Sequence, residues 1–149
     1  ALHDSGLPPE RLKCEITESL ALDESLTTSR GLAGLTDLGV RFAIDDFGTG
    51  QSGLSYLRRF PVSTLKLDQS FVGGMVDHAG DAAFVRGVIA LARALGLEIT
   101  AEGVETPEQL HALKLLGCDI GQGYLFARPM PPEALVALLE SEPSSLRAA

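Results

Sequence analysis

An α/β fold built on a parallel sheet is what this sequence of 149 residues predicts, and two observations carry the prediction. Five times a short apolar run gives way to a loop carrying acidic or glycine residues and then to an amphipathic stretch, which is the rhythm of βα units. The acidic residues also gather where the apolar runs end, and parallel α/β architectures bind their ligands at the carboxyl ends of the strands. Periodicity leaves open the choice between a doubly wound sheet and a (β/α)8 barrel, of which five units would be a part.

The first apolar run is "LKCEIT", residues 12–17, and a helical stretch follows over about 23–38, closed by Gly39. The second is "RFAIDD" (41–46), whose loop runs into "LSYLRRF" and stops at Pro61. The third is "TLKLD" (64–68). It precedes a helix over about 82–95 that repeats Phe84, Val85, Val88, Ile89, Ala92 and Leu95 on one face. Gly96 ends that helix as the residue that can turn left-handed without a side-chain clash. The fourth run is "LEITAEG" (97–103), after which Thr106 and Pro107 read as N-cap and first helical residue of "PEQLHALKLLG". Thr106 and Gln109 have the spacing of a capping box. The fifth is "CDIGQGY" (118–124), and Pro131-Pro132 then opens "EALVALLE". The tail "SEPSSLRAA" is small and polar and is expected to fray.

A hydrophobic share of 45% in 149 residues suffices for one globular domain with an ordinary core. Twelve Lys and Arg against 20 Asp and Glu give a formal charge of -8, which excludes broad binding of a DNA or RNA polymer through a basic face. An anionic ligand would need metal ions or a few placed cations. Cys14 and Cys118 form no CxxC pair and lie in apolar segments, so they read as buried free thiols of a reducing compartment, the cytoplasm by default. No apolar run approaches the roughly 20 residues of a membrane span, and no signal-peptide pattern opens the sequence, so no membrane contact by this segment is expected. The first residue is Ala rather than Met, so a piece of a longer protein is expected. His3, His78 and His111 fall in polar surroundings and read as surface residues.

Chemistry concentrates at the five strand ends. They carry Glu15 and Glu18, Asp45 and Asp46, Lys66 and Asp68, Glu102 and Glu105, and then Asp119, Gln122 and Tyr124. With Asp119 left aside, seven carboxylates face one ammonium. If the ends converge, so much like charge requires counterions or protons. Oxygen ligands without His or Cys suit Mg²⁺, Mn²⁺ or Ca²⁺ rather than Zn²⁺. Two such ions about 3.5–4 Å apart form the arrangement that hydrolyses phosphodiesters. Asp is also a common turn former, and Gly48 and Gly50 supply a turn after Asp45-Asp46, so capping and turn roles compete with ligation at each position. Acids in all five units favour ligation, since independent capping would scatter Ser, Thr and Asn among them. Lys66 lies inside an otherwise apolar strand, where its ammonium is expected to meet a carboxylate or phosphate rather than only snorkel. The segment "FGTGQSG" is expected to form a mobile element over the site.

The motifs "CEITES", "DDFGTGQSGLSYL", "LKLDQSFV", "AEGVET" and "LGCDIGQGYLFARPMP" occur in this order, and over nearly all of residues 1–140 the chain resembles the C-terminal two-thirds of an EAL domain. The resemblance implies a TIM-type (β/α)8 barrel, here a partial barrel of about five βα units over residues 1–142, with 143–149 a disordered tail. It implies hydrolysis of cyclic di-GMP to linear pGpG with two Mg²⁺ or Mn²⁺ ions. By the same resemblance Glu15, Asp45, Asp46 and Glu102 are metal ligands, with Asp45 bridging the ions. Lys66, Glu102, Asp68 and Gln122 are catalytic. Glu18, Glu105, Gly48, Thr49, Gly50, Tyr124 and Pro129 bind substrate or anchor the loop. Implied partners are cyclic di-GMP, a second copy through the barrel, and an upstream regulatory or GGDEF-type domain, with tethering to a membrane sensor through other parts as an alternative to a purely cytoplasmic protein.

The family's Glu-Ala-Leu motif and the asparagine of its next strand lie upstream of "CEITES" and outside this sequence. Activity is therefore expected of the complete domain and not of this chain by itself. The alternative is a non-hydrolysing cyclic-di-GMP receptor or signalling scaffold. Gln51 and Gly53 stand where the family usually carries Tyr and Ser, which bears on the ordering of the loop.

Overall fold

Alternation decides how each strand is used. In the computed structural model, which describes residues 2–21, 26–50, 57 and 60–141, five strands form one parallel sheet in the order β1 to β5. They are β1 (Lys13–Thr17), β2 (Arg41–Phe47), β3 (Thr64–Leu67), β4 (Glu98–Ala101) and β5 (Ile120–Gly121). Residues paired in register share a face of the sheet. Ile44 pairs with Leu65, and Leu65 with Ile99. All three are 0% exposed, on the face that carries the core. The opposite face carries Glu15, Ala43, Thr64 and Glu98 in one register row and Lys66 and Thr100 in the next.

That second face is concave. Lys13 of β1 forms an ion pair with Glu98 of β4. A flat sheet would hold strands three steps apart at about 14 Å, beyond the reach of a direct contact between their inward side chains. A doubly wound sheet reverses its strand order at a switch point, whereas here each strand neighbours the next without reversal, as strands do around a barrel. The described residues form five consecutive units of a TIM-type barrel.

Among the described residues seven helices accompany the strands: α1 (Leu2–Ser5), α2 (Glu18–Ala21), α3 (Leu26–Asp37), α4 (Gln69–Gly74), α5 (Ala79–Leu95), α6 (Pro107–Leu116) and α7 (Pro132–Ser141), with a 3-10 turn at Pro9–Arg11. Helix α5 buries Val85, Val88, Ile89 and Ala92, the face that the spacing predicts, while Leu95 at its last turn is 40% exposed. Gly96 and Gly117 end α5 and α6 with φ of 70° and 78°. The capping box at α6 is formed: the Gln109 amide donates to Thr106 Oγ1 at 3.2 Å, and the Thr106 amide donates to Gln109 Oε1 at 3.0 Å.

Four boundaries differ from the sequence expectation. Helix α5 begins at Ala79, three residues early, and α4 is an additional short helix. Strand β4 ends at Ala101 because Gly103 turns left-handed at φ 65°. Strand β5 keeps two residues, since Gly121 and the following Gly123 offer no side chains to pack on a sheet and Gly123 abuts the Val104 backbone. Cys14 and Cys118 are unpaired thiols as expected, yet half-buried rather than buried. Much of the expected "LSYLRRF" stretch, the start of the helix after β1, Gln51, Gly53 and the tail lie outside the described residues.

Candidate functional site

Two adjacent residues of a regular strand point to opposite faces, so Asp45 and Asp46 could not both enter one site from an undisturbed β2. The strand solves this with a bulge. Two residues of β2, Asp45 and Asp46, lie between Ile44 and Phe47 where β3 has Lys66 alone between Leu65 and Leu67. The extra residue falls at the aspartate pair, and Asp46 takes a left-handed φ of 53°. Bulges re-aim side chains in this way beside active sites. Carboxylate oxygens of Asp45, Asp46 and Glu102 then lie within 4.8 Å of one another at the carboxyl ends of β2 and β4.

Lys66 projects from β3 into the same place. Its ammonium is 2.7 Å from Asp45 Oδ1, 2.7 Å from Glu102 Oε1 and 2.8 Å from Glu15 Oε2, with its side chain 8% exposed. Burial works to lower the ammonium's pKa, but the hydrogen bonds to Asp45, Glu102 and Glu15 together outweigh it and hold the pKa above the ordinary lysine value. Four carboxylates around one ammonium leave three formal negative charges without a local partner among these five groups.

The loop after β2 is fixed from several sides. Thr49 donates its amide and its hydroxyl to the Asp46 carbonyl at 3.2 and 3.0 Å. The buried Glu18, first residue of α2, lies against Gly50, where an added methyl group would approach Glu18 Oε2 to 2.7 Å. Gly48, at φ 100°, rests on Phe84.

The described contacts of the other predicted residues are with different partners. Asp68 caps α4, accepting hydrogen bonds from the Ser70 amide and hydroxyl. Glu105 is exposed and donates its amide to Gln109 Oε1 at 2.8 Å. Gln122 ties β5 to β4 through its backbone, its amide donating to the Ala101 carbonyl at 2.8 Å. Gln122, Tyr124 and Pro129 line a separate cleft of about 330 Å³ together with Arg128 and Leu135. Arg128 has its guanidinium carbon 4.5 Å from the centre of the Tyr124 ring, a cation–π contact. Sequence reading missed Arg128, although its basic side chain four residues after Tyr124 was a signal for it. His78 and His111 are exposed, as expected; the His3 side chain lies outside those described.

The donor set fits a hard divalent cation. It consists of carboxylate oxygens, and two oxygens on opposite sides of an ion at about 2.0–2.6 Å each are about 4–5 Å apart, the span found here. The family model described as EAL domain matches residues 1–129. The chain belongs to the EAL domain family. Over 137 residues, 92% of this EAL chain, it is 46% identical to the bifunctional diguanylate cyclase/cyclic di-GMP phosphodiesterase MucR of Pseudomonas aeruginosa, and it covers 20% of that protein. A solved complex of the MucR phosphodiesterase with cyclic di-GMP superposes with a TM-score of 0.84 at 46% identity, covering 90% of this chain and 54% of that one. The EAL domain of Mycobacterium smegmatis DcpA gives 0.86 at 45% identity, over 93% of this chain and 62% of that one. A manganese and cyclic-di-GMP complex of Klebsiella pneumoniae BlrP1 gives 0.77 at 37% identity, over 86% and 33%. This EAL chain spans 17% to 20% of the length of four curated relatives it matches.

Proposed function

We propose that this EAL domain hydrolyses cyclic di-GMP to linear pGpG with Mg²⁺ or Mn²⁺. The observation that carries the reading is the convergence of the Asp45, Asp46 and Glu102 oxygens beside the buried Lys66 ammonium. Its chemical setting is a family whose relatives include proteins named cyclic di-GMP phosphodiesterases.

Glu15, Asp45, Asp46 and Glu102 would hold the ions. A divalent cation in that position polarises a phosphodiester oxygen and makes water a better nucleophile. The remaining work belongs to the protein. Lys66 keeps a positive charge beside a non-bridging phosphate oxygen, where negative charge grows as water adds to phosphorus. Glu102 accepts the proton of that water. One phosphorus–oxygen ester bond breaks, its 3′ oxygen takes up a proton, and the linear dinucleotide keeps the phosphate on its 5′ end. Asp68, by starting α4, fixes the segment that follows Lys66. Gln122 is assigned to the catalytic set with Lys66 and Glu102, Tyr124, Pro129 and Glu105 to the substrate, and Glu18, Gly48, Thr49 and Gly50 to the loop that carries Asp46. Pairing with a GGDEF-type domain, a homodimer through the barrel and a cytoplasmic site of action belong to the same reading.

The test is hydrolysis of cyclic di-GMP by this domain within its complete protein, followed by chromatography of the product. Turnover that requires Mg²⁺ or Mn²⁺ and yields pGpG supports the proposal. Equal turnover in excess chelator overturns the metal assignment, and binding without turnover favours a receptor.

A further inference from the structure

A residue with a left-handed φ and a side chain persists only where its surroundings over-determine it, and the surroundings of Asp46 are unusually explicit. Before it, the bulge begins at the fully buried Ile44. After it, Phe47 is 3% exposed and anchors the strand end in the core. Thr49 closes a turn on the Asp46 carbonyl. These restraints are local, and Glu18 of α2 adds one from outside at Gly50. A second restraint from outside is aromatic and bears on Gly48. A methyl group built on Gly48 would come within 2.5 Å of Phe84 Cζ and 3.2 Å of Phe71 Cε2. The two rings stack with centroids 4.1 Å apart and planes at 26°. Phe84 belongs to α5 and Phe71 to α4, the helix that Asp68 caps, so the shelf beneath Gly48 is built from the segments that follow β3.

From this contact we infer that Phe84, backed by Phe71, is a positioning residue for the cation site: the Phe71–Phe84 stack bears on Gly48 and thereby sets the direction of the Asp46 carboxylate. The inference rests on the metal reading proposed above and deepens it. Glycine at 48 serves two ends at once, since φ 100° disfavours any side chain and the ring leaves no room for one. Phe84 touches no ligand itself. It acts through the Gly48 backbone, as outer partners of metal ligands do. The contact also accounts for an otherwise plain sequence pattern: Phe84 lies next to Val85, Val88 and Ile89 on α5, yet it is less deeply buried than they are because its ring end reaches the loop.

The experiment uses this domain, isotopically labelled, within its complete protein, with Mn²⁺ as the probe and amide resonances as the readout. In the parent, ring current from Phe84 displaces the Gly48 resonances, and Mn²⁺ broadens Asp46 and Gly48 at low concentration. Phe84→Leu keeps an apolar side chain and removes the Cζ and Cε1 atoms that meet Gly48; Phe84→Ala leaves a methyl group alone. Each is expected to lose the ring-current shift and to raise the Mn²⁺ midpoint by about tenfold or more. Leu91→Ala, a truncation elsewhere on α5, lowers the thermal midpoint comparably and leaves the Mn²⁺ midpoint unchanged. A parent-like Mn²⁺ midpoint in Phe84→Leu, or an equal loss in Leu91→Ala, overturns this inference and leaves the metal reading standing. A parent protein that shows no Mn²⁺ broadening at Asp46 overturns the metal reading, and this inference with it.

Discussion

Lys66 brings one ammonium to three carboxylates, and its energetics can be separated from its chemistry. Removing one partner of a buried ion pair costs about 3–5 kcal/mol, because the remaining charge is left without compensation. Here the side chain of Glu15 is 50% exposed and that of Asp45 28%, so solvent screens part of the loss. Lys66→Met is therefore expected to lower unfolding free energy by about 1–3 kcal/mol. The same change should tighten Mn²⁺ binding, because the ammonium and a divalent ion compete for the Asp45 and Glu102 oxygens. Urea unfolding and calorimetric titration check the two halves, and weaker Mn²⁺ binding in the variant would refute the competition. The folded pKa of Lys66 is raised, so its ion pairs contribute fully below the unfolded value near 10.5 and fade only as pH rises past the folded one. Their contribution is constant across the neutral range. Asp45, Asp46, Lys66 and Glu102 were legible in the sequence, since acids that recur at strand ends around a single lysine suit cation ligation better than turn formation. The left-handed Asp46 was not, because a φ angle leaves a sequence trace only when glycine occupies the position.

Among the elements, β2 depends on a bulge and the β1–β4 pairing of side chains depends on Lys13 and Glu98. The Lys13 ammonium holds the Glu98 carboxyl below its ordinary value of 4.5, against the opposing effect of partial burial, and Thr64 Oγ1 adds a hydrogen bond at 3.2 Å. A folded pKa below the unfolded one means stability that is present above about pH 4.5 and is lost as pH falls through the lowered folded value. Glu98→Gln should thus flatten the acid limb of the stability profile. Urea midpoints at neutral pH and below pH 4.5 measure it; an unchanged acid slope would show that this pair does not tie β1 to β4. Element identity was readable where capping chemistry is local, as at Thr106-Pro107 and at Gly96. It was less readable after β3, where Asp68-Gln69-Ser70 carried the N-cap signal of α4 but Asp68 also fitted the pattern of strand-end acids. The polar inner face with Lys13, Thr64 and Glu98 was masked by the apolar residues that alternate with them.

At the level of the whole molecule, the carboxyl ends of successive strands deliver Glu15, Asp45, Lys66 and Glu102 to one mouth, while Ile44, Leu65 and Ile99 on the opposite sheet face hold those strands together. This division of labour was legible as a parallel α/β fold from periodicity and as a TIM-type barrel from the ordered motifs. Periodicity could not choose between the two architectures, because curvature arises from contacts between strands that are distant in the chain, such as Lys13 with Glu98. The sequential order of the strands has a further consequence for how the molecule opens. Among the described residues each strand hydrogen-bonds to its neighbours in the chain, and β5 is joined to β4 through two paired residues, so that pair can part without disturbing β3. Amide hydrogens should then exchange with deuterium in a graded series: slowest in β3 and β4, whose Leu65, Leu67, Ile99 and Ala101 are 0% exposed, and fastest in the two-residue β5. Uniform exchange across all five strands would instead mark a sheet that opens as one cooperative unit.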